Sequence, residues 1–207
     1  MALSKFIASQ LFAPSGIIGH FVLPGMWNKR NRALNDLVLK HLALQSQDRI
    51  LEVGFGGGYL LSRIHSAVKE GLAAGVDLSS AMISHFKRQH RTSLREGRLV
   101  IGQVDGETLP FGSESFDKVC SVNTIFYLKD VPLAFSELHR VLVRKGKALI
   151  CFTDKKDLEE RPFSKHGLRL FEAREVRNLM SKAGFRDIQM IHAKDRYRDF
   201  HCAVGIK

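Results

Sequence analysis

The stretch ILEVGFGGGYLLSRI, residues 50–64, decides the fold because it joins two hydrophobic patterns through a glycine turn. Its first part is an apolar run that carries a single acid, Glu52, and ends in Gly54-Phe55-Gly56-Gly57-Gly58. Its second part, from Leu60 to Ile64, spaces its apolar residues as a helix does. The stretch therefore predicts a buried strand, a glycine turn and a helix in direct succession.

The rest of the chain repeats this alternation of strand and helix. Further strands are predicted at 72–78, 99–105, 116–123 and 147–153. Helices are predicted at about 28–44, 58–70, after the capping pair Ser79-Ser80, at 131–142 and at 172–184. The run Arg144-Lys145-Gly146 is expected to close the helix at 131–142, since basic residues followed by glycine are typical of a helix end.

The end of the chain departs from the alternation. FRDIQMIHAKD (185–195) and DFHCAVGIK (199–207) both read as strands, and only three residues separate them. So short a connection favours a hairpin, because a parallel crossover needs a dozen or more residues. We therefore predict an α/β fold with a seven-stranded, mostly parallel sheet, helices on both faces and one antiparallel strand from the C-terminal hairpin.

Charge is the least ordinary feature of the composition. The 207 residues carry a formal net charge of +11, and from Arg140 onward 17 Lys and Arg face 9 Asp and Glu. A basic face can meet nucleic acid, an anionic membrane surface or acidic substrates, and it is equally compatible with a plain solvated surface. Charge alone does not choose between these partners.

The cysteines and the N-terminus bear on the compartment. Cys120, Cys151 and Cys202 are odd in number, far apart and in no CxxC spacing, which argues against a disulfide framework or a structural zinc site. No metal is predicted, and a reducing cytoplasm is the expected location. The apolar segment 1–27 is interrupted by prolines and glycines and lacks a clear cleavage site, so we interpret it as part of the fold.

The glycine turn is compatible with several ligand classes, which the spacing separates. A dinucleotide fingerprint, GxGxxG/A, would need a small residue where Tyr59 stands. A Walker phosphate loop would end in Gly-Lys-Ser/Thr, and Tyr59-Leu60 does not match it. What remains is GxGxG (Gly54, Gly56, Gly58) preceded by an acid, and a carboxylate suits a cationic or zwitterionic ligand better than a pyrophosphate.

ILEVGFGGG resembles the first motif of class I S-adenosylmethionine-dependent methyltransferases, and further segments continue the resemblance. DGETLPF (105–111), FDKVCSVNTIFYLKD (116–130) and LAFSELHRVLVRKGKALI (133–150) are similar to later motifs in the same order. The chain departs from the usual Lys-Pro-Gly-Gly at 144–147, which we expect to change a surface turn only. The resemblance spans about residues 45–190 and is nearest to the ubiquinone/menaquinone-biosynthesis (methyltransferase type 11) branch.

The resemblance implies a cofactor, S-adenosyl-L-methionine, with S-adenosyl-L-homocysteine as its product. It implies that Glu52 lies near the cofactor's ammonium group, Asp77 near the ribose hydroxyls, and Asp105 near the adenine amino group. The full set of implied cofactor-binding residues is Glu52, Gly54, Phe55, Gly56, Gly58, Asp77, Leu78, Met82, Asp105, Gly106 and Asn123. It also implies a single domain over 1–207, with an arm and helix at 1–45 covering the site and a Rossmann-like core at 46–207.

The methyl acceptor is less well defined. Asn123 is not followed by the Pro-Pro-aromatic run of amino-group methyltransferases, and Cys120 lacks the proline of cytosine C5 enzymes. We expect an apolar acceptor pocket from residues 1–30, with Phe12, Phe21 and Trp27, and from the loop around His166. Tyr127 is the first candidate for a catalytic base, ahead of the histidines at 20, 166 and 201.

These observations favour an S-adenosylmethionine-dependent methyltransferase that acts on a small, apolar acceptor by in-line displacement. An RNA- or protein-directed methyltransferase is the alternative, motivated by the basic C-terminal third, although nucleic acid is not the expected partner. A non-catalytic S-adenosylmethionine-binding regulator is a third reading. Peripheral membrane contact is compatible with the apolar arm, and the oligomeric state is left open.

Overall fold

The structure is a computed structural model that describes residues 23–207, without the side chains of Leu23, Pro24 and Trp27. Seven strands are found there: β1 Arg49–Val53, β2 Leu72–Asp77, β3 Leu99–Gln103, β4 Phe116–Val122, β5 Leu142–Thr153, β6 Arg186–Lys194 and β7 Asp199–Ile206. The helices are α1 Leu23–Arg30, α2 Arg32–Leu42, α3 Tyr59–Ala67, α4 Ser80–Gln89, α5 Arg91–Arg95, α6 Val131–Val141, α7 Lys155–Glu159 and α8 Ala173–Lys182. Two short 3₁₀ turns lie at Ile125–Tyr127 and Pro162–Lys165.

The strands form one sheet in the order β3-β2-β1-β4-β5-β7-β6. The first five strands are parallel, and β7 runs antiparallel to both β5 and β6. The predicted hairpin is confirmed, and its turn is fastened by Asp195, whose Oδ1 accepts from the amides of Tyr197 and Arg198 at 2.7 and 3.0 Å. The predicted fold class is confirmed, including the single antiparallel strand.

Apolar cores lie on both faces of this sheet. One joins the sheet to α6 and α8 through side chains such as Phe135 and Val176, and the other joins it to α2, α3 and α4 through Leu34, Ile64 and Phe86. All five side chains are almost fully excluded from solvent. At about 25 cal/mol per Å² of apolar surface, such burial provides the main driving force for folding.

One predicted boundary is wrong. The helix at 131–142 was expected to close at Arg144-Lys145-Gly146, whereas α6 ends at Val141 and β5 begins at Leu142. Leu142 is fully buried and pairs with Phe116 of β4, so tertiary packing outweighs the helix-closing pattern. The positive φ falls on Lys145 (63°), whose amide donates to the carbonyl of Lys207.

Within residues 23–207, no helix is long and apolar enough to cross a lipid bilayer. The three cysteines are all buried, and none of them forms a disulfide bond. Cys151 and Cys202 lie opposite each other on β5 and β7.

Candidate active site

A cavity of about 550 Å³ opens at the carboxyl ends of the parallel strands. The strand order reverses between β1 and β4: β2 and β3 lie on one side of this pair, and β5 lies on the other. In open α/β sheets this switch point is where loops diverge and ligands bind. The residues that end β1, β2, β4 and β5, and those just beyond β3, all contribute to the cavity wall.

The glycine turn between β1 and α3 forms the floor of the cavity. Gly54, Gly56 and Gly58 have φ values of 76°, 51° and 78°, a region that side chains with a Cβ rarely adopt. The amide of Gly54 donates to the carbonyl of Val76 at 2.8 Å, which ties the turn to β2. Gly54, Phe55, Gly56 and Gly57 line the cavity, so the backbone itself is available to a ligand there.

Asp77, at the end of β2, holds the glycine turn in place. Its Oδ2 accepts from the amide of Gly56 at 2.8 Å, and its Oδ1 accepts from the amide of Ser79 at 2.9 Å. Burial raises the pKa of Asp77, and these two hydrogen bonds act in the opposite direction. Each carboxylate oxygen keeps a second lone pair that can accept from a ligand hydroxyl.

Glu52 is the most unusual group in the site. Its side chain is 2% exposed, and its Oε2 is excluded from solvent with no hydrogen-bond partner in the described part of the chain. Burial raises the pKa of Glu52 well above its usual value, and the negative charge of Asp77 adds to the rise. A buried carboxyl oxygen without a hydrogen-bond partner is costly, which makes this a position where a cationic ligand group would be strongly stabilised.

The ends of the other strands complete this side of the cavity. Asp105 and Gly106 lie on the wall just after β3, and Leu78, which is 38% exposed, also lines the cavity. Asn123, at φ 55°, follows β4, and its Oδ1 accepts from the amide of Thr153 at 2.8 Å. Its Nδ2 donates to Asn31 Oδ1 at 3.1 Å, which connects β4 to the N-terminus of α2.

Two of the residues implied by the family resemblance lie away from the cavity wall. Met82 is fully buried in the core formed with α2, α3 and α4. Its place in the apolar pattern of α4 is therefore explained by core packing. Gly58 is also absent from the wall: a Cβ there would lie 2.3 Å from a ring carbon of Phe86. Neither residue lines the cavity in this structure, and the contact with the cofactor implied for them stays a prediction.

Part of the cavity lining is apolar. It is made by Phe126, Tyr127, Leu128, Leu158, Phe163 and Leu168, with Met26 from α1. Burial raises the pKa of Tyr127 to about 12, so its phenol keeps its proton at neutral pH. A hydroxyl in that state can donate a hydrogen bond but is a poor general base.

Two of the histidines proposed from sequence, His166 and His201, lie within the described residues, and neither is on the cavity wall. His166 does not line it, although Phe163 and Leu168 on either side of it do. His201 is likewise absent from the wall and is hydrogen-bonded to Asp154 Oδ2 at 2.7 Å. His20, Phe12, Phe21 and the side chain of Trp27 lie outside the described residues.

Several wall residues were not found by sequence reasoning. Asn28 of α1 donates through Nδ2 to the carbonyl of Gly57 at 3.0 Å and so ties α1 to the glycine turn. Arg30, Arg161 and Arg198 also line the cavity, from three distant segments. These residues belong to no motif. The only signal in the sequence was the excess of basic residues, which does not indicate which of them face the cavity.

Known proteins with similar sequences and folds point to one family. The family described as a methyltransferase domain matches residues 51–150. The uncharacterised methyltransferase YdaC of Bacillus subtilis (strain 168) is 30% identical over 164 residues, which make up 77% of this chain and 83% of that protein. The chloroplastic 2-methyl-6-phytyl-1,4-hydroquinone methyltransferase of Arabidopsis thaliana is 29% identical over 177 residues, 84% of this chain and 50% of that protein. A SAM-dependent methyltransferase from Aquifex aeolicus has the same fold, with a TM-score of 0.70 at 18% identity over 98% of both chains.

Proposed function

We propose that this chain transfers a methyl group to a small acceptor with an apolar body. The chain belongs to the class I S-adenosylmethionine-dependent methyltransferases. Cofactor and acceptor would share the cavity at the carboxyl ends of the strands. The observation that supports this most strongly is Glu52, whose buried Oε2 has no partner among the described residues. A cationic cofactor group supplies the partner that this oxygen lacks.

The chain's own residues fit the cofactor. Glu52 would accept from its ammonium group, and the backbone of the glycine turn would pass beneath its amino-acid end. Asp77 would accept from the ribose hydroxyls through the lone pairs left by Gly56 and Ser79. Leu78 would pack beside the adenine ring, and Asp105 would accept a hydrogen bond from its amino group. Both residues line the cavity, as Asp77 does.

When bound, the cofactor supplies a methyl group on a sulfonium, which is already electrophilic. The remaining task for the protein is to align the acceptor atom with that methyl and to keep water out. Effective molarity from such alignment is worth about 7–11 kcal/mol of the barrier. The apolar wall of Phe126, Phe163 and Leu168 is suited to excluding water from the line of attack.

The apolar nature of the acceptor is supported by the lining of the cavity. Part of the lining consists of aromatic and aliphatic side chains, which bind apolar surface. The Arabidopsis relative is named for a hydroquinone with a phytyl chain, which is an apolar aromatic acceptor. We propose that Tyr127 donates a hydrogen bond to an oxygen of the methyl acceptor. This replaces the role of catalytic base that the sequence suggested for it.

The test is transfer of isotope-labelled methyl from S-adenosylmethionine to reduced naphthoquinols and alkylphenols, with total RNA and denatured cell protein as competing acceptors. We expect label in the small-molecule fraction, abolished by Glu52→Gln and retained by the exposed control Glu70→Gln. Label found only in RNA or protein would contradict the small acceptor. Cofactor binding without turnover on any acceptor would instead favour a regulator.

A further inference from the structure

Three arginines line the cavity and are not used by the cofactor as placed above. Arg30 ends α1, Arg161 follows α7, and Arg198 lies in the turn between β6 and β7. All three side chains are half-buried. Segments far apart in the chain therefore converge to place positive charge on one part of the wall.

Arg198 is held in position by its neighbours. Its Nη2 donates to the carbonyl of Arg30 at 2.6 Å and to Asn31 Oδ1 at 2.8 Å. Its Nε is excluded from solvent and has no hydrogen-bond partner in residues 23–207. Burial lowers the pKa of Arg198 and the positive charges of Arg30 and Arg161 add to this, whereas the negative charge of Asp195 acts in the opposite direction. A guanidinium fixed in this way is short of an acceptor.

These charges are only partly offset by carboxylates, since Asp195 attracts Arg198 without forming an ion pair with it. None of the three arginines forms an ion pair within residues 23–207. Asp157 is the acid on this part of the wall, and its Oδ2 is used to accept from the amide of Asp199 at 2.8 Å. Arg161 donates through Nε to the carbonyl of Asp157, and its terminal nitrogens have no hydrogen-bond partner within residues 23–207.

The cavity is lined by groups of both charges. Glu52, Asp77 and Asp105 line it at or just beyond the ends of β1, β2 and β3, and Arg30, Arg161 and Arg198 line it from other segments. The acids suit the cofactor's ammonium and sulfonium, whereas the arginines would repel them. An anion bound between the arginines would remove that repulsion and would satisfy Arg198.

We propose that Arg161 and Arg198, with Arg30 behind them, form a subsite for an anionic group, a carboxylate or a phosphate, carried by the methyl acceptor. This inference rests on the proposed function and refines the acceptor to an amphiphile, with an apolar body and one anionic group. Guanidinium groups bind both anions through paired, charge-assisted hydrogen bonds. The cofactor's own carboxylate has the same chemistry, and the experiment separates the two sources.

The experiment uses the full chain saturated with S-adenosylhomocysteine, into which octanoate, octyl phosphate and uncharged octanamide are titrated calorimetrically. We expect at least one anion to bind about tenfold or more tightly than octanamide, the scale of one hydrogen bond to a charged group. Arg161→Gln should remove that preference and leave the affinity for S-adenosylhomocysteine unchanged. Arg174→Gln, an exposed arginine on α8 away from the cavity, should change neither.

Two results would overturn the inference. Equal or absent binding of the anions and octanamide to wild-type protein would show that no anion subsite exists for an acceptor. Weaker binding of S-adenosylhomocysteine by Arg161→Gln, with the anion preference intact, would assign the arginine to the cofactor's carboxylate. If wild-type protein failed to bind S-adenosylhomocysteine at all, the proposed function would fail first and separately.

Discussion

At the end of β1, Glu52 keeps a carboxyl oxygen away from water, without a hydrogen-bond partner in the described chain and near the negative Asp77. In the absence of cofactor this arrangement is unfavourable, and burial raises the pKa of Glu52 well above its ordinary 4.5. The folded chain therefore retains a proton that the unfolded chain releases. Folding becomes less favourable as the pH rises from about 4.5 toward the raised pKa.

We predict that Glu52→Gln stabilises the cofactor-free protein at neutral pH, because the variant has no proton to lose. The gain should be smallest near pH 5 and should grow as the pH rises, and it should be accompanied by weaker cofactor binding. Thermal unfolding of wild type and variant between about pH 5 and pH 8 measures this gap. A gap that does not change with pH would mean that Glu52 ionises normally in the folded chain.

Tyr127 provides a second test on a single residue. Because its pKa is raised to about 12, its phenol is protonated throughout the neutral range. We predict that Tyr127→Phe lowers kcat by roughly 2- to 10-fold, the scale of one neutral hydrogen bond. The shape of the pH–rate profile below about pH 9 should stay the same. An unchanged kcat would remove Tyr127 from the reaction, and loss of a profile limb would restore it as a base.

Residues differ in how far the sequence could assign them. Glu52 and Asp77 were recognisable because each ends a buried strand beside a turn, where a lone acid stands out. Met82 was not, because an apolar residue on an amphipathic helix follows the same spacing whether it faces a ligand or the core. The arginines at 30, 161 and 198 meet only through the tertiary fold, so no local pattern could reveal them.

Among the elements, the glycine turn depends most on backbone shape. At Gly54 a Cβ would lie 2.1 Å from Thr124 Oγ1, and φ is 76°. Gly97, in the turn before β3, has the same φ of 76°, but a Cβ at that position would have no neighbouring atom within 4 Å. The two positions therefore share the cost of a positive φ and differ in the clash.

We predict that Gly97→Ala costs about 1–2 kcal/mol of unfolding free energy, the ordinary cost of a left-handed alanine. Gly54→Ala should cost clearly more and should abolish binding of S-adenosylhomocysteine, because Thr124 would have to move. Chemical denaturation and calorimetry on both variants provide the comparison. Equal losses of stability, with binding retained in both, would mean that the turn adjusts easily and is not a fixed cradle.

Elements were predicted well where a single hydrophobic periodicity was bounded by residues that end a helix or strand, as in β1, α3 and the β6–β7 hairpin. The boundary between α6 and β5 was missed because Leu142 fits both the helical and the strand pattern of apolar residues. Its pairing with Phe116, some 26 positions earlier in the sequence, decides the outcome. Only the assembled sheet contains that information.

On the scale of the whole molecule, the cavity draws on every parallel strand, on α1 and on the segment after β5. A ligand bound there would contact several of these elements at once. Binding to the folded state alone stabilises the fold by mass action. Cofactor affinity should therefore be visible in global stability.

We predict that S-adenosylhomocysteine at about 100 times its dissociation constant stabilises the protein by about 2.7 kcal/mol. For a chain of this size the melting temperature should rise by roughly 5–10 °C. Differential scanning calorimetry measures the rise, with adenosine alone as a weaker ligand for comparison. No rise at saturating ligand would show that the cavity does not bind it in the folded state.

The measurement that tests the central claim most directly is calorimetric titration of S-adenosylmethionine and S-adenosylhomocysteine into the protein, beside Asp77→Ala and the exposed control Glu70→Ala. The account predicts saturable binding at one site by wild type and Glu70→Ala. It predicts no binding by Asp77→Ala, with circular dichroism establishing that this variant is folded. Absence of binding by folded wild-type protein, or equal binding by Asp77→Ala, would contradict the assignment of this cavity to the cofactor.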